Sequence, residues 1–456
     1  MTIRLHNTMG GKEEDFMPIR DKEVSIYNCG PTVYDFAHIG NMRSYVFADT
    51  LRRVFKHENF KLKQVINITD VGHLLGEENE GEDRIEKAAK KEKKSASEIA
   101  EFYTQAFLAD LKSLNIDTEG IEFPKATENI KEQIEIIKIL EEKGFTYQIS
   151  DGIYFDTQKF DGYGKLGKTK NSKDKKEISR VGVNPEKRRP ADFALWKFSR
   201  SKRMQEWDSP WGKGFPGWHI ECSAMSRKYL GQPFDIHTGG VDHIPTHHNN
   251  EIAQSEAAFD TPLANYWLHN EFVKVDGEKM SKSLGNIFTV SDLKARHIHP
   301  LSFKLWLLSA HYRSIINFTW DAVQAAQSSL ENLLNSYFGL PKSHKSDSSI
   351  LKKLDGYVRD DLNTPQMLAL LQEAKSKSAV EKIDEVLGLN IKNLSDELHK
   401  NLPPEVLDIK KERDEARKNK DWQKSDELRR EIENEGFIVE DSDNDSKVRK
   451  TLAGIV

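Results

Sequence analysis

Cysteine is almost missing from this chain: Cys29 and Cys222 are the only thiols in 456 residues. Two thiols so far apart exclude a disulfide framework and a CxxC metal finger, and their scarcity suits a reducing, cytoplasmic setting. No apolar run approaches the roughly eighteen residues that a membrane span needs, so no membrane partner is expected. The opening MTIRLHNTMGGKEEDF carries acids and lacks the apolar core of a signal peptide. Repeats of fixed period are absent, which removes solenoids. Excess charge of one sign is absent too, since Lys+Arg 68 against Asp+Glu 73 leaves a net charge of −5. That balance excludes a uniformly basic nucleic-acid binder and leaves room for a local basic face. What is present is a polar but globular composition, 37% hydrophobic and 31% charged. The length suits about three domains and a large buried core.

Strand and helix signals alternate at the start. EVSIYNCG reads as a buried strand closed by Gly30 and Pro31. After HIGN, the stretch from Met42 to Phe55 sets Phe47, Leu51, Val54 and Phe55 at helical spacing, and FKLKQVINITD reads as a second strand. Strand, helix, strand is a βαβ unit and calls for a parallel sheet. Between 116 and 200 short β-like runs and a lysine-rich loop interrupt it, and sheet signals return at PFDIHTGG and FVKVDG. From about 291 the pattern is almost entirely helical, with Leu330, Leu333, Leu334, Tyr337 and Phe338 on one face and Pro403 and Pro404 as a linker. The expected fold is α/β: a Rossmann-type parallel-sheet domain (1–115 and 201–290) with an inserted α+β segment (116–200). An α-helical bundle (291–404) and a small module (405–456) follow.

Three constellations carry chemistry. HIGN (38–41) lies between a strand and a helix N-terminus, where amide N–H groups and the helix dipole favour phosphate. His38 and Asn41 can donate to a nucleotide phosphate there, and Gly40 lets an adenine approach the backbone. KMSKS (279–283) follows the strand-like FVKVDG by a turn, and such a loop offers Lys279 and Lys282 to a triphosphate. The third is a donor set. THHNNEIAQ places His247 and Glu251 at i, i+4 on one helical face, and with Cys29 and Cys222 these offer a donor set suited to zinc, although taken singly each Cys reads better as a small buried hydrophobe and HH as a surface pair. His248, at i, i+3 from Glu251, fits almost as well.

HIGN with KMSKS resembles the paired nucleotide signatures of class I aminoacyl-tRNA synthetases. YNCGPTVYDFAHIGN, NITD, DFALWK, SPWGKGFPGWHIECSAM, FDIHTGG, HHNNEIAQSEA, HYRS, DDLNTP and ARKNKDW extend the resemblance nearly end to end, to the cysteinyl-tRNA synthetases. That resemblance implies one zinc ion on Cys29, Cys222, His247 and Glu251, with His248 as a neighbour. It implies ATP with magnesium as substrate, L-cysteine and tRNA(Cys) as partners, and a monomeric cytoplasmic ligase. It places Thr69 and Trp218 beside the amino acid, His237 near the same pocket, and Asp242 near the adenosine. His38, Asn41, Lys279 and Lys282 become the catalytic group, with Lys279 assisting loop closure. Lys410, Lys411, Arg413, Arg417, Lys418, Lys420 and Trp422 mix cations with an aromatic that could stack a base, and the resemblance assigns this segment to the anticodon. Asn41 stands where the family often has a second histidine, and THHNNE replaces the commoner PHHENE, one acid fewer. Two rivals are weighed: a cysteine ligase of the mycothiol-forming type, which typically lacks the C-terminal RNA-binding region, and a catalytically silent RNA-binding relative.

Overall fold

The computed structural model describes residues 2–72, 83–167, 184–199, 203–441 and 446–455. Most of the lysine-rich loop of the insertion, residues 168–183, lies outside them. The central sheet has five parallel strands in the spatial order Ala264–Asn270, Phe234–Gly240, Glu23–Asn28, Lys61–Ile66 and Ile121–Glu122. Numbered by chain order, that arrangement is 5-4-1-2-3, the doubly wound order of nucleotide-binding sheets. Its topological switch point falls between Glu23–Asn28 and Phe234–Gly240. Every residue of Phe234–Gly240 is buried, as expected of a central parallel strand covered on both faces.

Helices supply that cover. Ile39–His57 buries Phe47, Leu51, Val54 and Phe55, the four residues whose spacing marked it, and begins three residues before Met42. Ile130–Glu142, Trp218–Leu230 and Asn249–Phe259 share one core with the sheet, including Ile136, Ile137, Met225, Ile252 and Trp267. The insertion forms a four-stranded antiparallel sheet of Thr146–Ile149, Gly152–Phe155, Phe193–Phe198 and Gly214–Pro216.

The chain divides into two compact units. The first comprises Met1–Ala37, Phe47–Leu111 and Asp117–Phe272, and so holds both sheets just described. The second comprises His38–Val46, Lys112–Ile116 and Val273–Val456. Within the second, Val273–Val275 pairs antiparallel with Glu278–Lys279 and parallel with Ile316–Phe318. Helix Trp320–Phe338 buries Leu330, Leu333, Leu334 and Tyr337. Phe338 departs from the expected face: it is 51% exposed and its ring stacks on His399 at 3.9 Å.

Two differences from the expected helical tail appear at the end. Pro404 is no linker residue but opens helix Pro404–Lys418, a position where its missing N–H costs nothing. After helix Trp422–Asn434 comes a hairpin, Phe437–Asp441 with Ser446–Lys450. Val406, Ile432, Phe437, Val439 and Val448 give this module its own small core.

Candidate active site

Cys29 directly follows the strand Glu23–Asn28 and sits at its C-terminal end, at the switch point where such sheets bind ligands. Cys222 lies on helix Trp218–Leu230, His247 in the wide turn Ile244–His248, and Glu251 in the first turn of Asn249–Phe259. Each offers one ligand atom, and those atoms lie within 4.8 Å of one another. His247 Nε2 is 3.0 Å from Glu251 Oε1, and Cys29 Sγ is 3.9 Å from the same oxygen. Tetrahedral zinc with bonds of about 2.0–2.3 Å sets its ligand atoms roughly 3.3–3.8 Å apart. Donor chemistry and spacing both fit zinc.

Electrostatics within the cluster favour the ionised forms of Cys222 and Glu251. The neighbouring Cys29 thiol brings Cys222 down to about 7 against the effect of burial, while burial and Cys222 push Cys29 well up. Burial disfavours the carboxylate of Glu251, but His237 and His247 outweigh it and hold that group at about 2. His247 is opposed by burial and lifted to about 10 by Glu251 and Cys222.

Cys29, His237, His248 and Glu251 form a second group gathered as closely. His237 Nε2 is 2.8 Å from Glu251 Oε2, and its ring stacks on Trp267 at 4.6 Å. His248 Nε2 is 3.3 Å from Cys29 Sγ, and its Nδ1 is 2.8 Å from His269 Nε2. His269 Nδ1 in turn meets Thr8 Oγ1 at 2.8 Å. Burial among neighbouring imidazoles holds His248 and His269 well below the usual histidine range, so both are neutral.

The residues assigned to the amino acid gather around this cluster. Trp218, 43% exposed, sets its ring 4.7 Å from that of His247. Thr69 is buried and accepts from Asn67 Nδ2 at 3.2 Å. His237 is fully buried against Glu251. Asp242 is exposed on the turn Val241–His243 that follows Phe234–Gly240.

Both nucleotide signatures belong to the second unit. His38 and Asn41 cap the helix start reciprocally: Asn41 N–H donates to His38 Nδ1 at 3.1 Å, and His38 N–H to Asn41 Oδ1 at 3.1 Å. Ile39 N–H donates to Phe288 O at 2.8 Å. The expectation of free amides is thus not met at Ile39 and Asn41, and the side chains of His38 and Asn41 are the candidate donors to a phosphate. An ideal Cβ on Gly40 would stand 2.2 Å from Met280 Cε, so the missing side chain makes room for the signature methionine. Lys279 and Lys282 are exposed. Their loop is closed by Asn286, which accepts from Ser281 N–H at 2.8 Å and donates to Lys279 O at 3.3 Å.

Comparison with known proteins decides the family. The model of the class I (C) tRNA synthetase catalytic domain matches residues 15–328, and that of the cysteinyl-tRNA ligase anticodon binding domain matches 399–449. Cysteine–tRNA ligase 1 of Burkholderia lata is 44% identical, covering 97% of this chain and 96% of that relative. The cysteine–tRNA ligase of Treponema denticola is 41% identical over 97% of this chain and 98% of its own length. The chain belongs to the cysteine–tRNA ligase family. As a member it is an enzyme of the aminoacyl-tRNA synthetase class. Solved structures agree in fold: Mycobacterium tuberculosis methionyl-tRNA synthetase aligns with TM-score 0.57 at 13% identity, over 82% of this chain and 91% of that one. An Agrobacterium radiobacter LeuRS–tRNA complex aligns with TM-score 0.55 at 13% identity, over 84% and 85%.

Within the ligase's final module, several cations expected to face RNA are engaged internally. Arg413 is 2% exposed and grips Asp441 through two bonds of 2.8 and 3.0 Å, and Arg417 joins the same carboxylate. Lys410 pairs with Asp414 at 2.7 Å and Lys411 with Asp408 at 2.9 Å. Lys418 and Lys420 are exposed, and Trp422 is 60% exposed, where the two helices meet. Sequence reasoning missed Asn67 and His219. Asn67 Oδ1 accepts from Gly30 N–H at 2.9 Å and lies 3.8 Å from Cys222 Sγ, while His219 Nδ1 holds His247 Nδ1 at 2.8 Å. NITD and GWHIEC contain both residues, but only the pairing across the fold reveals what each touches. Among the described residues no helix is long and apolar enough to cross a membrane.

Proposed function

We propose that this enzyme ligates L-cysteine to tRNA(Cys) in two steps, as a monomer in the cytoplasm. The cysteine carboxylate attacks the α-phosphate of ATP and pyrophosphate leaves; the terminal adenosine of the tRNA then takes the cysteinyl group and AMP departs. The observation that carries this reading is the four-donor cluster at the sheet's switch point, with Cys222 and Glu251 held toward their ionised forms. Held by Cys29, Cys222, His247 and Glu251, zinc would supply a soft acceptor for the substrate sulfur that serine cannot satisfy. Trp218 and Thr69 border the amino acid in this reading, and His237 fixes the Glu251 carboxylate. An apolar pocket alone separates such near-isosteres by only about 10–200-fold.

At the nucleotide end, ATP is taken with magnesium, and the protein's work is positioning and charge stabilisation. His38 and Asn41 orient the phosphates from the helix start, Lys282 meets the charge that grows on pyrophosphate, and Lys279 helps the loop close. Asp242 is assigned to the adenosine by family resemblance. The match to an anticodon binding domain supports tRNA as the acceptor rather than an amino sugar.

The test is cysteine-dependent pyrophosphate exchange and tRNA charging, beside elemental analysis of the purified protein. About one zinc per chain is expected, and Cys222→Ser should lose zinc and cysteine activation together. An active preparation without zinc would overturn the role given to the cluster.

A further inference from the structure

One network in the second unit is absorbed by neither the metal cluster nor the two signatures. Arg43, two residues beyond Asn41 on the same helix, is 4% exposed. Its guanidinium donates to the carbonyl oxygens of His311 at 3.4 Å, Tyr312 at 3.2 Å and Ser314 at 2.5 Å. These carbonyls belong to the HYRS turn. The side chains of the same turn converge on one buried carboxylate: Tyr312 OH donates to Asp361 Oδ1 at 2.7 Å, and Arg313 Nε to Asp361 Oδ2 at 2.7 Å. His311 Nε2 lies 2.9 Å from the Asp361 carbonyl oxygen.

Asp361 and Leu362 both have positive φ, 48° and 57°. Consecutive non-glycine residues rarely adopt the left-handed region, and a leucine there is an outlier that its surroundings must hold. The carboxylate of Asp361, 2% exposed, is tied by its contacts to the HYRS turn. The helix start is thereby fastened on two sides. Phe288 O accepts from Ile39 N–H at 2.8 Å, His38 bridges Thr289, and Arg43 is anchored in the HYRS carbonyls.

We propose that Tyr312 and Asp361 are positioning residues for nucleotide use. They fix the turn whose carbonyls hold Arg43, and Arg43 sets the placement of His38 and Asn41. This rests on the reading that His38 and Asn41 face ATP phosphates. Neither Tyr312 nor Asp361 needs to touch substrate. The consequence is selective, because a loosened turn should disturb the phosphate contacts while the cysteine pocket, built from other elements, keeps its shape.

Pyrophosphate exchange on the full chain tests this with Tyr312→Phe, which removes one hydroxyl, and Asp361→Asn, which keeps size and tolerates positive φ. Each should raise the KM for ATP roughly three- to tenfold, less than the full loss of a hydrogen bond to a charged group would give, because each acts at one remove through Arg43. The KM for cysteine and the zinc content should stay within about twofold of the unmutated values. Combined with Arg43→Lys, neither variant should add its full effect, since all three act through one turn. Unchanged ATP KM, equal rises in both KM values, or full additivity with Arg43→Lys would overturn the proposal while leaving the functional reading standing. Absence of exchange in the unmutated protein would overturn both.

Discussion

Glycine at position 30 is held there by a close approach of two backbones. An ideal Cβ would stand 1.5 Å from the carbonyl oxygen of Asn67, and backbone cannot swing aside as a side-chain tip can. Gly30→Ala should therefore displace the loop that carries Cys29 without opening the core. Zinc retention is expected to fall about 10–100-fold, the range for residues that orient metal ligands, with the circular dichroism spectrum kept. Full zinc content in that variant would count against the cluster as the metal site. Asp70 offers a second test. Burial raises its carboxyl to about 6, although bonds from Thr127 N–H at 2.9 Å and Thr127 Oγ1 at 2.5 Å favour the charged form. The fold thus holds this proton more tightly than the unfolded chain does. Stability from this group is full below about pH 4, falls as pH rises through about 6, and the difference is up to about 3 kcal/mol. Urea titrations at pH 4.5 and 7 should show about 2 kcal/mol less pH dependence in Asp70→Asn; parallel behaviour of the two proteins would refute it. Cys29 and Cys222 drew attention in the sequence because no other thiol competes with them. Asn67 did not, because its contacts with Gly30 and Cys222 span 37 and 155 residues, and nothing local in NITD announces them.

Elements were legible where burial imposes a period. Phe47, Leu51, Val54 and Phe55 marked the helix Ile39–His57, and all four are buried. The parallel sheet was legible as a class, because its strands read as apolar runs separated by helices. Its order was not, since pairing Glu23–Asn28 with Phe234–Gly240 joins strands some two hundred residues apart through an insertion. The final hairpin escaped for a different reason. Phe437 and Val439 alternate with outward residues within a strongly charged stretch, and only their core with Ile432 and Val448 identifies the strands. Arg413 shows the same limit, because its charge suggested RNA whereas its partner Asp441 lies across the module. At this scale the signature loop gives the sharpest test. Ser281 caps the short turn Lys282–Leu284, and Asn286 closes the loop, so the backbone is held independently of the Lys282 side chain. Lys282→Ala should then lower pyrophosphate exchange about 10²-fold or more through kcat, as loss of one charge-stabilising donor does, with the KM for cysteine unchanged. A rate near that of the unmutated enzyme would remove Lys282 from the phosphates.

At the scale of the whole molecule, the proposed function divides cysteine activation and RNA recognition between different stretches of chain. The candidate metal donors and both signatures lie before residue 290, whereas the anticodon-domain match occupies 399–449. The final module has its own core, and polar contacts fasten it to the helices before it. Lys450 pairs with Glu397 at 2.7 Å, and Leu452 N–H donates to Glu331 at 2.9 Å. Removing residues 405–456 takes away the exposed Lys418, Lys420 and Trp422 and touches none of the activation residues. Pyrophosphate exchange should stay within roughly twofold of the full chain. Charging of tRNA should fall about tenfold or more, chiefly through KM. Arg413, Arg417 and Lys410 are engaged inside the module, which leaves the exposed Lys411, Lys418, Lys420, Lys424, Arg430 and Lys447 to meet phosphate and bounds the module's share of the salt dependence. The slope of log affinity against log salt should change by at most about four to five when the module is removed, a little under one for each of the exposed cations lost. A much larger change would mean that the internal ion pairs open on RNA. Undiminished charging by the truncated chain across anticodon variants would place RNA recognition in the helices between 291 and 404 or in the insertion instead.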